Sequence, residues 1–159
     1  GSVLRGAPAD RPGSDLAGVG IRIEGHPGVT ISEARVYGFK CGLWASQTDG
    51  LTLDGGDYSD NFRQRLRSTP AAEEGADWLF PHRNAERKWR DEYGAAIAVE
   101  SSRQVTVRDI RVRRGQNGIL FDRVNESRVY DNDCSFLSGW GLALWRSSQI
   151  GRASCRERG

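Results

Sequence analysis

Much of what bounds this chain is missing from it. It has no methionine, no run approaching the length of a membrane span, and nothing at its start that reads as a signal peptide, so no membrane span is expected. Of its 23 basic residues only Lys40 and Lys88 are lysine, an arginine bias that fits a GC-rich genome better than a binding role. An excess of one charge is missing too. The formal net charge is +2, and residues 150–159 alone supply +2 through Arg152, Arg156 and Arg158 against Glu157, so residues 1–149 sum to zero. No nucleic-acid partner is therefore expected. With three cysteines and two histidines there is no CxxC or Cys/His spacing for zinc, and neither a metal nor a cofactor is expected.

What is present is a repeat. Five times a small residue precedes a hydrophobic-x-hydrophobic triplet: Gly20-Ile21, Gly42-Leu43, Ala96-Ile97, Gly118-Ile119 and Gly141-Leu142, with gaps of 22, 54, 22 and 23 residues. The long gap is 22 plus 32, which marks one segment inserted into a regular beat, and a fixed period in this range belongs to solenoids. The same offsets stay apolar from coil to coil. Two residues past the first apolar position stand Ile23, Ala45, Val99, Phe121 and Leu144; at offset nine stand Val29, Leu51, Val105 and Ser127; at offset eleven, Ile31, Leu53, Val107 and Val129; at offset sixteen, Val36, Tyr58, Val112 and Cys134. Period-two alternation of β-branched residues, broken by turn segments such as His26-Pro27-Gly28 and Thr48-Asp49-Gly50, predicts three short strands per 22 residues and no helix inside a repeat.

The segments GVGIRIEGHPGVTISEARVYG and NGILFDRVNESRVYDNDCSF resemble the right-handed parallel β-helix, pectin-lyase-like repeat proteins, over about residues 18 to 149 apart from the insertion. The resemblance implies an all-β, right-handed parallel β-helix of about 22 residues per coil, with one inserted loop that has room for a short helix. It also implies a place outside the cytoplasm, extracellular or periplasmic. That superfamily holds polysaccharide lyases, hydrolases and epimerases beside adhesins and tail fibres, so the fold alone does not choose among them. No Arg-x-x-Arg near a proline, as in pectate lyases, and no Gly-His-Gly or Arg-Ile-Lys, as in polygalacturonases, occurs here.

About four and a half coils expose both ends of a stack, so a fragment of a longer domain covering 1–149 is expected. Residues 150–159, IGRASCRERG, back-translate to a common short-read sequencing adaptor and are expected to be a non-native tail. Ile150 keeps the apolar offset, but Arg152 falls where earlier coils carry Ile, Leu or Val. Cys41 and Cys134 lie two coils apart, too far for a disulfide, and both are expected to remain thiols, with Cys134 in the core.

The insertion, residues 62–93, enters after the third strand of a coil and forms a loop on one edge. Asn84 is a candidate N-cap for a helix over 84–93. Trp78, Phe80, Trp89 and Tyr93 give the loop apolar surface with which to fold back on the coils. Long ordered loops often carry function; the other reading is that these aromatics only fasten a surface excursion.

Alternate residues of the first strand point outward and stack into columns. One column is Arg22, Trp44, Ala98, Leu120 and Ala143; the next is Glu24, Ser46, Glu100, Asp122 and Trp145. Glu100 and Asp122 share an offset on adjacent coils about 4.8 Å apart, close to the carboxyl separation of retaining glycosidases, about 5 Å, and such proximity raises one pKa beside the other. They are the candidate catalytic acid and base, with His82 in the insertion as a further candidate base. Arg123 and Arg146 are candidate bidentate donors to a sugar carboxylate, and Trp44 and Trp145 candidate faces for sugar rings. The opposing reading is a solvated surface on which Glu100 pairs with Arg123. Tyr130-Asp131-Asn132-Asp133 resembles calcium-ligand spacing only weakly, and Asn132 is expected to turn inward to the backbone of the turns. The function expected is interaction with an acidic polysaccharide, as a lyase, hydrolase or epimerase; the alternative is a non-catalytic structural or adhesive β-helix. Oligomeric state is not legible.

Overall fold

The computed structural model describes residues 1–63, 90 and 94–156, which form an all-β parallel solenoid. In one sheet β1 (Val3–Arg5), β3 (Thr30–Tyr37), β5 (Thr52–Asp57), β7 (Thr106–Arg108), β9 (Arg128–Asp133) and β11 (Arg152–Arg156) stack in chain order. The other stacks β2 (Val19–Glu24), β4 (Cys41–Ser46), β6 (Ala95–Arg103), β8 (Ile119–Asn125) and β10 (Leu142–Trp145) in the same way. Every pairing is parallel, and its register is the sequence beat: Ile21, Leu43, Ile97, Ile119 and Leu142 oppose one another in turn. At two of the small anchors before them glycine is a steric requirement. A Cβ on Gly42 would lie 2.5 Å from the Ala96 carbonyl oxygen, and one on Gly118 would lie 2.3 Å from that of Gly141.

The core runs along the axis between the sheets. Leu43, Ala45, Ile97, Val99, Ile119 and Phe121 from the even-numbered strands meet Leu51, Leu53, Val105, Val107 and Val129 from the other side. Val36, Tyr58, Val112 and Cys134, the offset-sixteen column, close the third wall, each no more than 2% exposed. Burial pushes the Tyr58 phenol up to about 12. The outlier in the offset-nine column, Ser127, is buried and serves as a bracket: its Oγ accepts from Val105 N and donates to the Asn125 carbonyl. At the ends of the stack the apolar columns lose their cover: Leu4, aligned with Val36, and Leu144 are 39% and 41% exposed.

Four corners turn each coil, and each is a ladder of residues in the left-handed region. Gly25, Gln47, Ser101, Arg123 and Arg146 form the first, with φ of 69, 53, 48, 55 and 46°. Gly28, Gly50, Gln104, Glu126 and Gln149 form the second, Glu33, Gly55, Asp109 and Asp131 the third, and Gly38, Asp60, Arg114 and Phe136 the fourth. A side chain at such a position costs about 1–2 kcal/mol relative to right-handed backbone. Buried amides hold the turns against that cost. Asn61 Oδ1 accepts from Phe39 N, and its Nδ2 donates to the Val36 and Tyr58 carbonyls. Asn132 turns inward as expected, accepting from Ile110 N and donating to the Val107 carbonyl.

The coil continues through the first two residues assigned to the insertion. Phe62 N donates to the Phe39 carbonyl, Gln116 N donates to the Phe62 carbonyl, and Arg63 N donates to the Gly13 carbonyl. The coil resumes at Gly94, whose N–H reaches the Arg90 carbonyl, and at Ala95, whose N–H reaches that of Lys40. Trp78, Phe80, His82, Asn84, Trp89 and Tyr93, with most of the helix predicted over 84–93, lie outside the described residues. Across the gap the coils are bonded side chain to side chain: Arg108 grips Asp54 and Arg114 grips Asp60, both bidentately, while Ser102 Oγ accepts from Thr48 N.

Residues beyond 149 continue the stack as β11. Ile150 packs on the core, but Ala153, not Arg152, opposes Val129, and an irregularity follows before Cys155 opposes Asn132. The beat slips by one residue, so Arg152 faces outward toward Asp131 at 3.4 Å and does not occupy the inward offset expected for it. Cys134 is buried, with its sulfur 2.7 Å from that of Cys155 on the next coil.

Asn61→Ala leaves one amide and two carbonyls without their partner and is expected to lower unfolding free energy by at least about 2 kcal/mol in a urea titration. Gly50→Val, a β-branched residue at φ 71°, should cost about 1–2 kcal/mol, and Gly50→Asn clearly less.

Candidate functional site

The outer face of the even-numbered sheet carries both predicted columns. Arg22, Trp44, Ala98, Leu120 and Ala143 are register neighbours, as are Glu24, Ser46, Glu100, Asp122 and Trp145. The first column is less open than its alternation implies. Ala98 and Leu120 are 3% and 1% exposed and join Cys41 and Ala95 in a second apolar cluster, against which Trp44, Trp140 and Ala143 pack. Alternation assigns a side of the sheet; it does not expose that side.

Trp44 carries two cations, the Arg22 guanidinium 4.7 Å and the Arg90 guanidinium 4.4 Å from its ring centroid. A sugar ring would have to displace one of them. The indole Nε1 is buried and has no hydrogen-bond partner among the described residues. Arg90 also reaches Glu100 at 3.5 Å, so the ion pair foreseen between Glu100 and Arg123 is replaced by one with a residue of the insertion. Arg90 lies off the beat, so the repeat gives no sign of it.

Glu100 and Asp122 are direct register partners, yet their surroundings differ. The Glu100 side chain is 23% exposed and that of Asp122 only 3%. A carboxylate buried to that degree needs counter-charge, and two corner residues supply it. Arg146 Nε and Nη2 bind the two Asp122 oxygens at 3.0 and 2.9 Å, and Arg123 Nη2 lies 3.1 Å from Oδ2 while its Nε donates to Ser101 Oγ. Both arginines sit at the first left-handed corner, one directly after Asp122 and one a coil later, which is why both can turn to the same carboxylate. The forks expected to hold a sugar carboxylate thus already hold one of the protein's own. Trp145 opposes Asp122 in register and is 40% exposed, the open aromatic of the face. His82 lies outside the described residues.

The weak calcium-like run divides between inside and outside. Asn132 enters the core, Asp131 faces Arg152, and Asp133 is bound by Arg113 and Ser135. Among the described residues no cluster of three or more His, Cys, Asp or Glu side chains converges to hold a metal, and no helix is long and apolar enough to cross a membrane. Compared with family models, curated proteins and solved structures, the chain matches none of them.

Two carboxylates in the coil-to-coil pairs, Asp54 and Asp133, titrate low. The hydrogen bond from Arg108 holds Asp54 below its ordinary value; burial pushes Asp133 up, but hydrogen bonds from Ser135 and Arg113 outweigh it and hold that group low as well. A carboxyl with a depressed folded pKa stabilises above the unfolded value and loses that contribution as pH falls through the folded one. The urea midpoint should therefore fall below about pH 4, and Asp133→Asn should flatten that fall. Asp122→Ala is expected to cost roughly 1–3 kcal/mol, since it removes the acceptor of three charge-assisted contacts, whereas Glu100→Gln should change the midpoint little.

Proposed function

We propose that this protein is a carbohydrate-interacting β-helix of the pectin-lyase-like kind that binds an acidic polysaccharide along the outer face of the even-numbered sheet and acts on it as a lyase, hydrolase or epimerase. The observation that carries this reading is the polar end of that face. Glu100 and Asp122 stand side by side in register, Arg90 and Arg146 flank them, and Trp145 is open beside them. In this reading Glu100, the more accessible carboxylate, moves the proton. Asp122, bridged to Arg123 and Arg146, sets a salt-bridged carboxyl next to it. Trp145 offers its ring face to a sugar. Action outside the cytoplasm is part of the same proposal.

A second reading, a non-catalytic structural or adhesive β-helix, is favoured by one specific observation: Asp122 and its two arginines form a closed unit that needs no ligand to complete it. Incubation with polygalacturonate, alginate and hyaluronate separates the two. Depolymerisation or epimerisation of one of them, reduced at least about 100-fold by Glu100→Gln, is expected from the catalytic reading. Trp145→Ala should weaken binding about 2- to 10-fold without shifting the urea midpoint. Turnover that Glu100→Gln leaves unchanged removes the carboxylate role, and binding without turnover favours the adhesive reading.

A further inference from the structure

A second feature lies on the other sheet. A cleft of about 870 Å³ runs along the solenoid across successive coils. One wall and the floor come from Arg5 on β1, Arg35 and Tyr37 on β3, Asp57 at the end of β5, and Arg114 beyond β7. The other wall is the segment from Ala7 to Leu16, which the Arg63 N–H ties to the Gly13 carbonyl at 3.2 Å. Ala7, Leu16 and Phe62 form a small apolar cluster beneath it, which holds the segment against the coils. The cleft is thus a built feature with its own core.

Its charge is unbalanced. Among the described residues that line it, Arg5, Arg11, Arg35, Arg63 and Arg114 stand against Asp57 and Asp60. Asp60 is already bound by both arms of Arg114, at 2.7 and 2.6 Å, and Asp57 accepts from Ser59 N. Elsewhere on the solenoid the arginines Arg22, Arg103, Arg108, Arg113 and Arg146 each hold a carboxylate. In the cleft, Arg5, Arg11, Arg35 and Arg63 have no carboxylate within 4.0 Å among the described residues. Arg5 instead lies over the Tyr37 ring, 5.4 Å from its centroid, which holds one guanidinium at the floor with its donors uncommitted. Along β1 and β3, Arg5 is aligned with Tyr37, two residues beyond Arg35, so the two residues leave the same face of the sheet from backbone positions about 7 Å apart along the strand direction. That spacing suits two anionic groups of one ligand, and guanidinium forks suit their oxygens.

We infer that this cleft binds a small polyvalent oxyanion, a ligand carrying two or more phosphate, sulfate or carboxylate groups, between Arg5 and Arg35 on the coils and Arg11 and Arg63 on the opposite wall. It is separate from the Glu100 face and does not depend on carbohydrate chemistry there.

Isothermal titration at about 20 mM salt, where screening is weak, tests it on the full chain with inorganic tripolyphosphate, a fully sulfated disaccharide and trigalacturonate as probes. Binding of at least one probe is expected, and the one preferred identifies the oxyanion. The affinity should fall at least tenfold in Arg11→Gln/Arg35→Gln and fall again at about 200 mM salt. Arg128→Gln, which removes an exposed charge elsewhere on the same sheet, and Trp145→Ala should leave it within twofold. All four side chains changed are on the surface, and an unaltered urea midpoint verifies folding. The inference is overturned if none of the three probes binds, or if the double substitution weakens binding no more than Arg128→Gln does.

Discussion

Parallel strands stacked coil on coil can in principle slide, since one backbone ladder resembles another; here the corners prevent it. Each of the four turns of a coil is made by a residue at positive φ, and those residues lie above one another at the spacing of the apolar anchors. A slip of one residue would put a β-branched or aromatic side chain into left-handed backbone at several corners at once and turn the inward columns out. Asn61 and Asn132 add the second lock, because each satisfies backbone groups of the coil before it, and Asn61 also bonds the Tyr58 carbonyl of its own coil. Register, core composition and the placement of every outward side chain follow from these turns.

The pairing of Asp122 with Arg146 is a direct product of that geometry. Both arginines that bind it stand at a corner, where a long side chain can double back along the stack to the end of a neighbouring strand. The same principle spreads over the surface. Arg108 on Asp54, Arg113 on Asp133 and Arg103 on Glu126 all connect one coil to the next. Exposed pairs of this kind are each worth at most about 1 kcal/mol. They matter more as a pattern, since the same kind of bond recurs from coil to coil along the stack.

Much of the fold was legible because a solenoid repeats its evidence. Any single Gly-x-hydrophobic step is ordinary, but five at one spacing, with four apolar columns in phase, leave little choice of architecture, and the register of Glu100 with Asp122 could be counted off the same spacing. The corners were legible in principle too: Gly25, Gly28, Gly50, Gly55 and Gly38 each mark one rung of a ladder whose other rungs are mostly polar, Gln, Ser, Arg, Glu or Asp, with Phe136 the exception. Burial on the outer face was not. Ala98 and Leu120 alternate as exposed residues should, and only packing shows them covered. Nor could counting find Arg90, which reaches Trp44 and Glu100 from outside the repeat, or the slip that turns Arg152 outward.

The bonds that span the 54-residue gap have a consequence for how such a protein changes over evolutionary time. Asp54 with Arg108, Asp60 with Arg114, Ser59 with Arg113 and Thr48 with Ser102 join the two coils as firmly as neighbours elsewhere are joined. Lengthening the connection from 22 to 54 residues raises the entropy of closure by only about 0.8 kcal/mol. The seam at Arg63 and Gly94 is therefore a socket, where a longer or shorter segment costs the host coils little in closure entropy and leaves the bonds that set their register in place. Because Arg90 delivers a charge from that segment onto Trp44 and Glu100, exchange at the socket would rewrite the chemistry of the face and leave the scaffold as it was.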